Sequence, residues 1–253
     1  MQIDELKKYN LLKKTKKLKL EKLENQGVCN ILYKIQTPEK NYILRVFKYA
    51  HTNEQSRKNE IRIQNKAFEK NIAAKVYVHD EKNSLMICDF LQGHHKEKLK
   101  KKDIKDLVKS LKKLHKIKIK DTPYKIEDDF KNYKKILKDK KSKQIIKASV
   151  KELKKIKKYK FEKVLCHHDL NQNNILFNKN IVKFIDWEFA CVNDRFFDIA
   201  NICFEFKLDK NEEKILLKKY LKKVKNKDIK KLASYKIVYK NLWSLWFKAL
   251  KQS

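Results

Sequence analysis

The hydrophobic period of this chain changes near Gly93, and that change restricts the fold more than any other feature of the sequence. Before Gly93 the apolar residues come in short alternating or β-branched runs, "KLKLEKLEN", "NILYKIQT" and "NYILRVFKYA", the last two separated by the turn "TPEKN". "NEQSRKNEIRIQNKAFEKN" then has helical spacing, and "KVYVHD" and "SLMICDFL" give two further strands around the turn "EKN". Residues 1–14 also have helical spacing, with Ile3, Leu6, Tyr9 and Leu12 on one side. After Gly93 the chain is mainly helical: Leu107, Leu111, Leu114 and Ile117 mark one amphipathic helix, and others are expected within 127–139 and 142–158. A short β element interrupts over 164–186. The pattern predicts an α+β chain of two lobes: residues 1–92 a small, mostly antiparallel sheet lobe, and residues 93–253 a larger helical one, with Gly93 as hinge.

The 253 residues carry a formal charge of +34, which invites a nucleic-acid reading. The lysines are spread over nearly every helical segment instead of gathering on one stripe, so a solvated coat accounts for them and no specific nucleic-acid partner is expected. Five cysteines, an odd number without a C-x-x-C pair, argue against a disulfide framework and for a reducing compartment. "MQIDELKKYN" lacks the basic start and apolar core of a signal peptide, and no apolar run reaches the about 18–20 residues of a membrane span. The expectation is a cytoplasmic protein without membrane insertion.

The chemistry concentrates in "CHHDLNQNN", residues 166–174. A metal cluster built from Cys166, His167, His168 and Asp169 is disfavoured, because consecutive side chains of an extended segment point to opposite sides. The residues that follow, "ILF" and "IVKFID" joined by "NKN", form a hairpin whose asparagines tolerate a left-handed turn. Such a hairpin returns Asp186 to Asn174, with Asp169 just upstream. Two carboxylates and an amide oxygen so gathered suit a hard cation such as Mg²⁺. They also match the parts needed for phosphoryl transfer: Asp169 takes the proton of an attacking hydroxyl, while Asn174 and Asp186 hold metal. His167 is expected behind the loop as a hydrogen-bonding support, and His168 has no assigned role.

"HHDLNQNNILF … FIDWEFACVNDRFFDIANICFEF" closely resembles the choline/ethanolamine kinases, a branch of the protein-kinase-like superfamily that includes aminoglycoside phosphotransferases. The matching runs are His167–Leu176, Ile185–Ala190, Asn193–Arg195 and Asp198–Asn201. The resemblance implies a bilobal protein-kinase-like fold, ATP as co-substrate and Mg²⁺. It also implies that Asp198 and Arg195 support the catalytic loop and that Glu188 lies beside metal and substrate. On the nucleotide side it points to Gly27 and Asn30 of "NQGVCN", where Gln26 and Cys29 replace the usual glycine and hydroxyl residue. It further points to Arg45 in "YILRVF", Glu60 in "RKNEIRI" as its partner, and the backbone near Asp89 and Leu91 for adenine. The alternative reading of Arg45 is a surface charge at a strand edge, and the rest of the pattern favours the functional one.

On the acceptor side, Trp243 and Trp246 of "NLWSLWFKAL" share a helix face. Alone, such a pair is more often a core stripe than a ligand box. The resemblance places them against a quaternary ammonium, with Glu205 as pocket carboxylate, Phe189 in place of a frequent tyrosine, and Asn171 on the substrate side of the loop. The implied activity is transfer of the ATP γ-phosphoryl group to choline. Ethanolamine, thiamine and aminoglycosides are alternative acceptors, and a basic binding protein on a degenerate kinase scaffold is the alternative outside enzymes.

Overall fold

The computed structural model describes residues 3–24, 30–48 and 54–251. It divides into two compact units, Met1–Gly93 and His94–Ser253.

In the first unit a short helix α1 (Ile3–Leu6) precedes β1 (Lys19–Lys22), β2 (Asn30–Gln36) and β3 (Asn41–Phe47), then helix α2 (Glu54–Glu69), β4 (Val76–Asp80) and β5 (Leu85–Asp89). The strands form one antiparallel sheet in the order β1-β2-β3-β5-β4. Because side chains alternate along a strand, Tyr42 and Leu44 of β3 join Ile35, Leu85 and Ile87 on one face, where Leu6 and Leu12 cover them. Ile43 and Phe47 go to the opposite face, where they and Ile61 of α2 pack against the cluster of Ala74, Met86 and Cys88. Arg45, between them in the alternation, is therefore directed to the helix side. The helix expected over 1–14 stops at Leu6; successive backbone turns continue it, Leu12 N–H donating to Tyr9 at 2.8 Å and Thr15 N–H to Leu12 at 3.0 Å. That path buries both Leu6 and Leu12 and lets the Tyr9 hydroxyl donate to Asp80 at 2.7 Å.

The second unit holds α3 (Lys101–His115), α4 (Ile126–Ile136) and α5 (Lys140–Ile156), then strands β6 (Lys163–Cys166), β7 (Ile175–Asn178), β8 (Ile181–Phe184) and β9 (Cys191–Asp194). Helices α6 (Arg195–Glu205), α7 (Lys210–Tyr220) and α8 (Asn226–Leu250) complete it. Three of these helices, α5, α6 and α7, start where an aspartate caps them: Asp139 accepts from Ser142 N–H, Asp194 from Phe196, and Asp209 from Asn211 and Glu212. β7 and β8 form the expected hairpin, with Ile175 opposite Phe184. Its left-handed residue is Lys179 (φ 53°), not either flanking asparagine. β6 pairs instead with β9, a strand that the periodicity does not reveal because "CVND" is too short to alternate visibly. Among the described residues no helix is long and apolar enough to cross a membrane, and Lys231 is the buried lysine, paired with Asp194 at 2.6 Å.

Candidate active site

The end of β6 and the start of α6 build the floor of the site. Asp198, fully buried on the first turn of α6, accepts the backbone N–H groups of His167 at 2.9 Å and His168 at 3.0 Å. His115 Nε2 donates to the same carboxylate at 3.0 Å, and its Nδ1 accepts from the Tyr220 hydroxyl at 2.6 Å. Burial alone would push the Asp198 carboxyl up, but His115 and these donors hold it below the ordinary carboxylate range. Arg195, the first residue of α6, is anchored by a two-point pair with Glu162, its Nε donating at 2.8 Å.

The floor carries Asp169 into a tight polar loop. Asn171 caps the 3-10 turn Gln172–Asn174, its Oδ1 accepting from Asn173 N–H at 2.8 Å and Asn174 N–H at 3.2 Å. Its Nδ2 donates to Asp169 Oδ1 at 3.0 Å. Asn174 Nδ2 donates to Asp169 Oδ2 at 2.7 Å and to the Asp169 carbonyl at 3.0 Å. Both amides thus aim N–H groups at one carboxylate. Burial nevertheless pushes the Asp169 carboxyl up to about 7; Asn171 opposes this, while the charges of Asp186, Glu205 and Glu188 reinforce it.

The hairpin closes the loop as the spacing predicts. Ile185 N–H donates to the Asn174 carbonyl at 3.0 Å, and His167 Nε2 donates to the Ile185 carbonyl at 3.0 Å. Asp186 follows with φ 63°, a left-handed conformation unusual for a residue with a Cβ. His167 is wedged behind the loop, its ring 4.7 Å from that of buried Trp187.

A second group of side chains lies along α8. Tyr239, Trp243 and Trp246 recur at helical spacing on one face. The Tyr239 hydroxyl donates to Glu205 at 2.9 Å, and burial raises the Glu205 carboxyl against that hydrogen bond. Trp243 stands edge-on to Phe189 at 5.9 Å and to Trp246 at 5.2 Å, and Tyr239 edge-on to Phe204 at 5.6 Å. Phe189 stays 37% exposed within this group.

In the first unit, Arg45 is 6% exposed on a central strand and pairs with Glu60 at 2.6 Å. That excludes a charge at a strand edge. Arg57 contacts the other oxygen of Glu60 at 2.7 Å, and the two guanidiniums hold the Glu60 carboxyl low although burial alone would push it up. Asn30 is buried at the start of β2, and Asp89 ends β5 paired with Lys40 at 2.8 Å. Leu91 is half-buried just beyond β5, against Met86 and its neighbours. Gly27 lies outside the described residues.

Sequence reading missed Tyr239 and Arg57, although each stands at helical spacing from an assigned residue, Trp243 and Glu60. It missed His115 for want of any local signal, since the partner Asp198 is distant in the chain.

A family model described as choline/ethanolamine kinase matches residues 21–235. The chain belongs to the choline/ethanolamine kinase family. Within that family it is 27% identical over 143 residues to protein LicA of Haemophilus influenzae, a match covering 51% of this chain and 53% of the relative. The chain thus spans about half the length of the curated relatives it matches. Its fold is that of choline kinase LicA from Streptococcus pneumoniae, with a TM-score of 0.80 at 19% identity, covering 98% of this chain and 90% of that one. It is also that of an ethanolamine kinase from Plasmodium vivax, with a TM-score of 0.74 at 23% identity, covering 96% and 80%. The chain is α+β with the kinase-like fold expected from its motifs.

Proposed function

We propose that the protein transfers the γ-phosphoryl group of ATP to the hydroxyl of choline, giving phosphocholine and ADP. In this reading residues 1–92 serve the nucleotide, with Arg45 oriented by Glu60 toward phosphate, and residues 93–253 carry the catalytic loop and acceptor pocket. The supply of ATP and the free cysteines agree with a cytoplasmic location.

Asp169 is the proton acceptor. Asn174 and Asn171 fix its carboxylate, and as the choline oxygen bonds to the γ-phosphorus and the bond to the bridging oxygen breaks, the hydroxyl proton passes to Asp169. Asn174 and Asp186 would hold Mg²⁺, with Glu188 beside it. The donor set fits: the Asn174 nitrogen is committed to Asp169, so the amide offers a cation its oxygen, and oxygen ligands suit this ion. When bound, Mg²⁺ supplies neutralisation of phosphate charge.

The observation that carries choline is the aromatic group of Trp243, Trp246, Phe189 and Tyr239 beside one carboxylate, Glu205. A quaternary ammonium needs π faces and a counter-charge and donates no hydrogen bond. A primary ammonium brings three N–H groups that each seek an acceptor, and the Trp and Phe rings of this group supply none. An ADP-release assay with Mg-ATP across choline, ethanolamine, thiamine and an aminoglycoside tests the reading. Choline is expected to show the highest kcat/KM, and a higher value for any of the others rejects it.

A further inference from the structure

His168 immediately precedes Asp169, and its backbone turns through the left-handed region at φ 71°, which a side chain with a Cβ disfavours. Something must hold it there. Its N–H is tied to Asp198 Oδ1 at 3.0 Å, and its ring is 6% exposed and held from three directions. Phe197 of α6 stacks on one face at 4.0 Å with an interplanar angle of 15°, and Tyr124 meets the ring edge-on at 5.1 Å. Asn193 of β9 places Nδ2 2.8 Å from His168 Nε2.

The Asn193 amide is oriented independently of the histidine, because its Oδ1 accepts the Asp194 N–H at 2.7 Å. The end facing the ring is therefore the donor, Nε2 must accept, and the ring proton sits on Nδ1. A doubly protonated ring would oppose one N–H to another. Burial works in the same direction, lowering the His168 pKa to about 4.

We infer that His168 is a positioning residue for phosphoryl transfer: clamped as its Nδ1–H tautomer between Asn193, Phe197 and Tyr124, it fixes the left-handed turn that aims the Asp169 carboxylate. The inference deepens the proposed function and rests on Asp169 as proton acceptor. A residue free to leave the left-handed region would swing Asp169 away from the incoming hydroxyl while leaving both substrate sites intact. The loss then falls on kcat and not on either KM.

Two variants of the full-length protein separate the contributions. His168→Phe keeps the stacked ring and removes the acceptor, and it is expected to lower kcat about 10- to 100-fold with both KM values within about twofold. His168→Gln restores an acceptor for Asn193 and is expected to recover part of that loss. Wild-type kcat in His168→Phe, or a loss confined to KM, overturns the inference. Independently of any variant, nitrogen-15 spectra of the wild-type protein at neutral pH are expected to show His168 as the Nδ1–H tautomer, and an Nε2–H tautomer or an imidazolium overturns it. Asp169→Ala, assayed alongside, distinguishes the two levels. Retained turnover there rejects the proton acceptor itself, whereas a dead Asp169→Ala beside a fully active His168→Phe rejects only the positioning role.

Discussion

Asn174 binds Asp169 twice, once at the carboxylate and once at the main-chain carbonyl, so the amide and the carboxylate form one rigid unit. Under the proposed function each half of the amide serves separately, the nitrogen orienting the proton acceptor and the oxygen facing the cation.

Asp169→Asn should remove the proton acceptor, and its own NH2 must then face one of the two amide donors that the carboxylate accepts. ADP release with choline is expected to fall about 10²- to 10⁴-fold while the protein stays folded, read by an unchanged far-ultraviolet circular dichroism spectrum. Turnover within a few-fold of wild type would show that the hydroxyl proton leaves by another route.

Asn174→Ala should weaken the cation site as well as the carboxylate clamp. The Mg²⁺ concentration for half-maximal activity is expected to rise at least about 10-fold, read by titrating Mg²⁺ at fixed ATP. An unchanged Mg²⁺ titration with reduced kcat would leave Asn174 with the orienting role alone.

Trp243→Ala removes the ring that meets both Phe189 and Trp246. A lost cation–π contact of about 2 kcal/mol corresponds to a rise of about 30-fold in the choline KM. The ATP KM is expected to stay near wild type. Equal shifts in both constants would make the indole a packing element only.

Glu60→Ala leaves Arg45 and Arg57 buried against each other without their shared carboxylate. Removing one partner of such a buried pair typically costs about 3–5 kcal/mol, so the denaturant midpoint should fall sharply. A midpoint within experimental scatter of wild type would mean that water reaches both guanidiniums.

His168 also makes stability depend on pH. Its ring faces Asp198 of α6, whose charge favours protonation, adjacent His167, whose charge disfavours it, and the Tyr124 phenol; burial dominates. The folded ring stays neutral down to about 4, while the unfolded chain takes up a proton near 6.5. Between those values unfolding binds a proton, so stability declines as pH falls through this window. Denaturation measured from pH 7 to 4 should show a shallower decline in His168→Phe than in wild type, and parallel curves would contradict the neutral, buried ring.

The strands of the first unit were legible because alternation over five to seven residues is a strong signal, as in "NILYKIQ" and "NYILRVF". The hairpin that carries Asp186 back to Asn174 was legible for the same reason, together with its turn. The full helix expected over 1–14 was not, because apolar residues at three-residue spacing suit a run of separate turns laid on a sheet as well as a continuous helix. β9 escaped notice because "CVND" gains its strand character from its partner β6 and not from its own pattern. His168 was invisible as a functional residue: its partners Asn193, Phe197 and Tyr124 lie 25 to 44 positions away, and only tertiary folding brings them to the ring.

The backbone N–H groups of His167 and His168 both end on Asp198, a carboxylate with no solvent exposure. Their hydrogens can exchange with water only when α6 separates from β6, which requires opening the core of the unit. These two amides therefore belong to the slowest-exchanging part of the protein and not to its mobile surface. Under the proposed function their order is set once, during folding, and turnover inherits it without having to create it each time a substrate arrives.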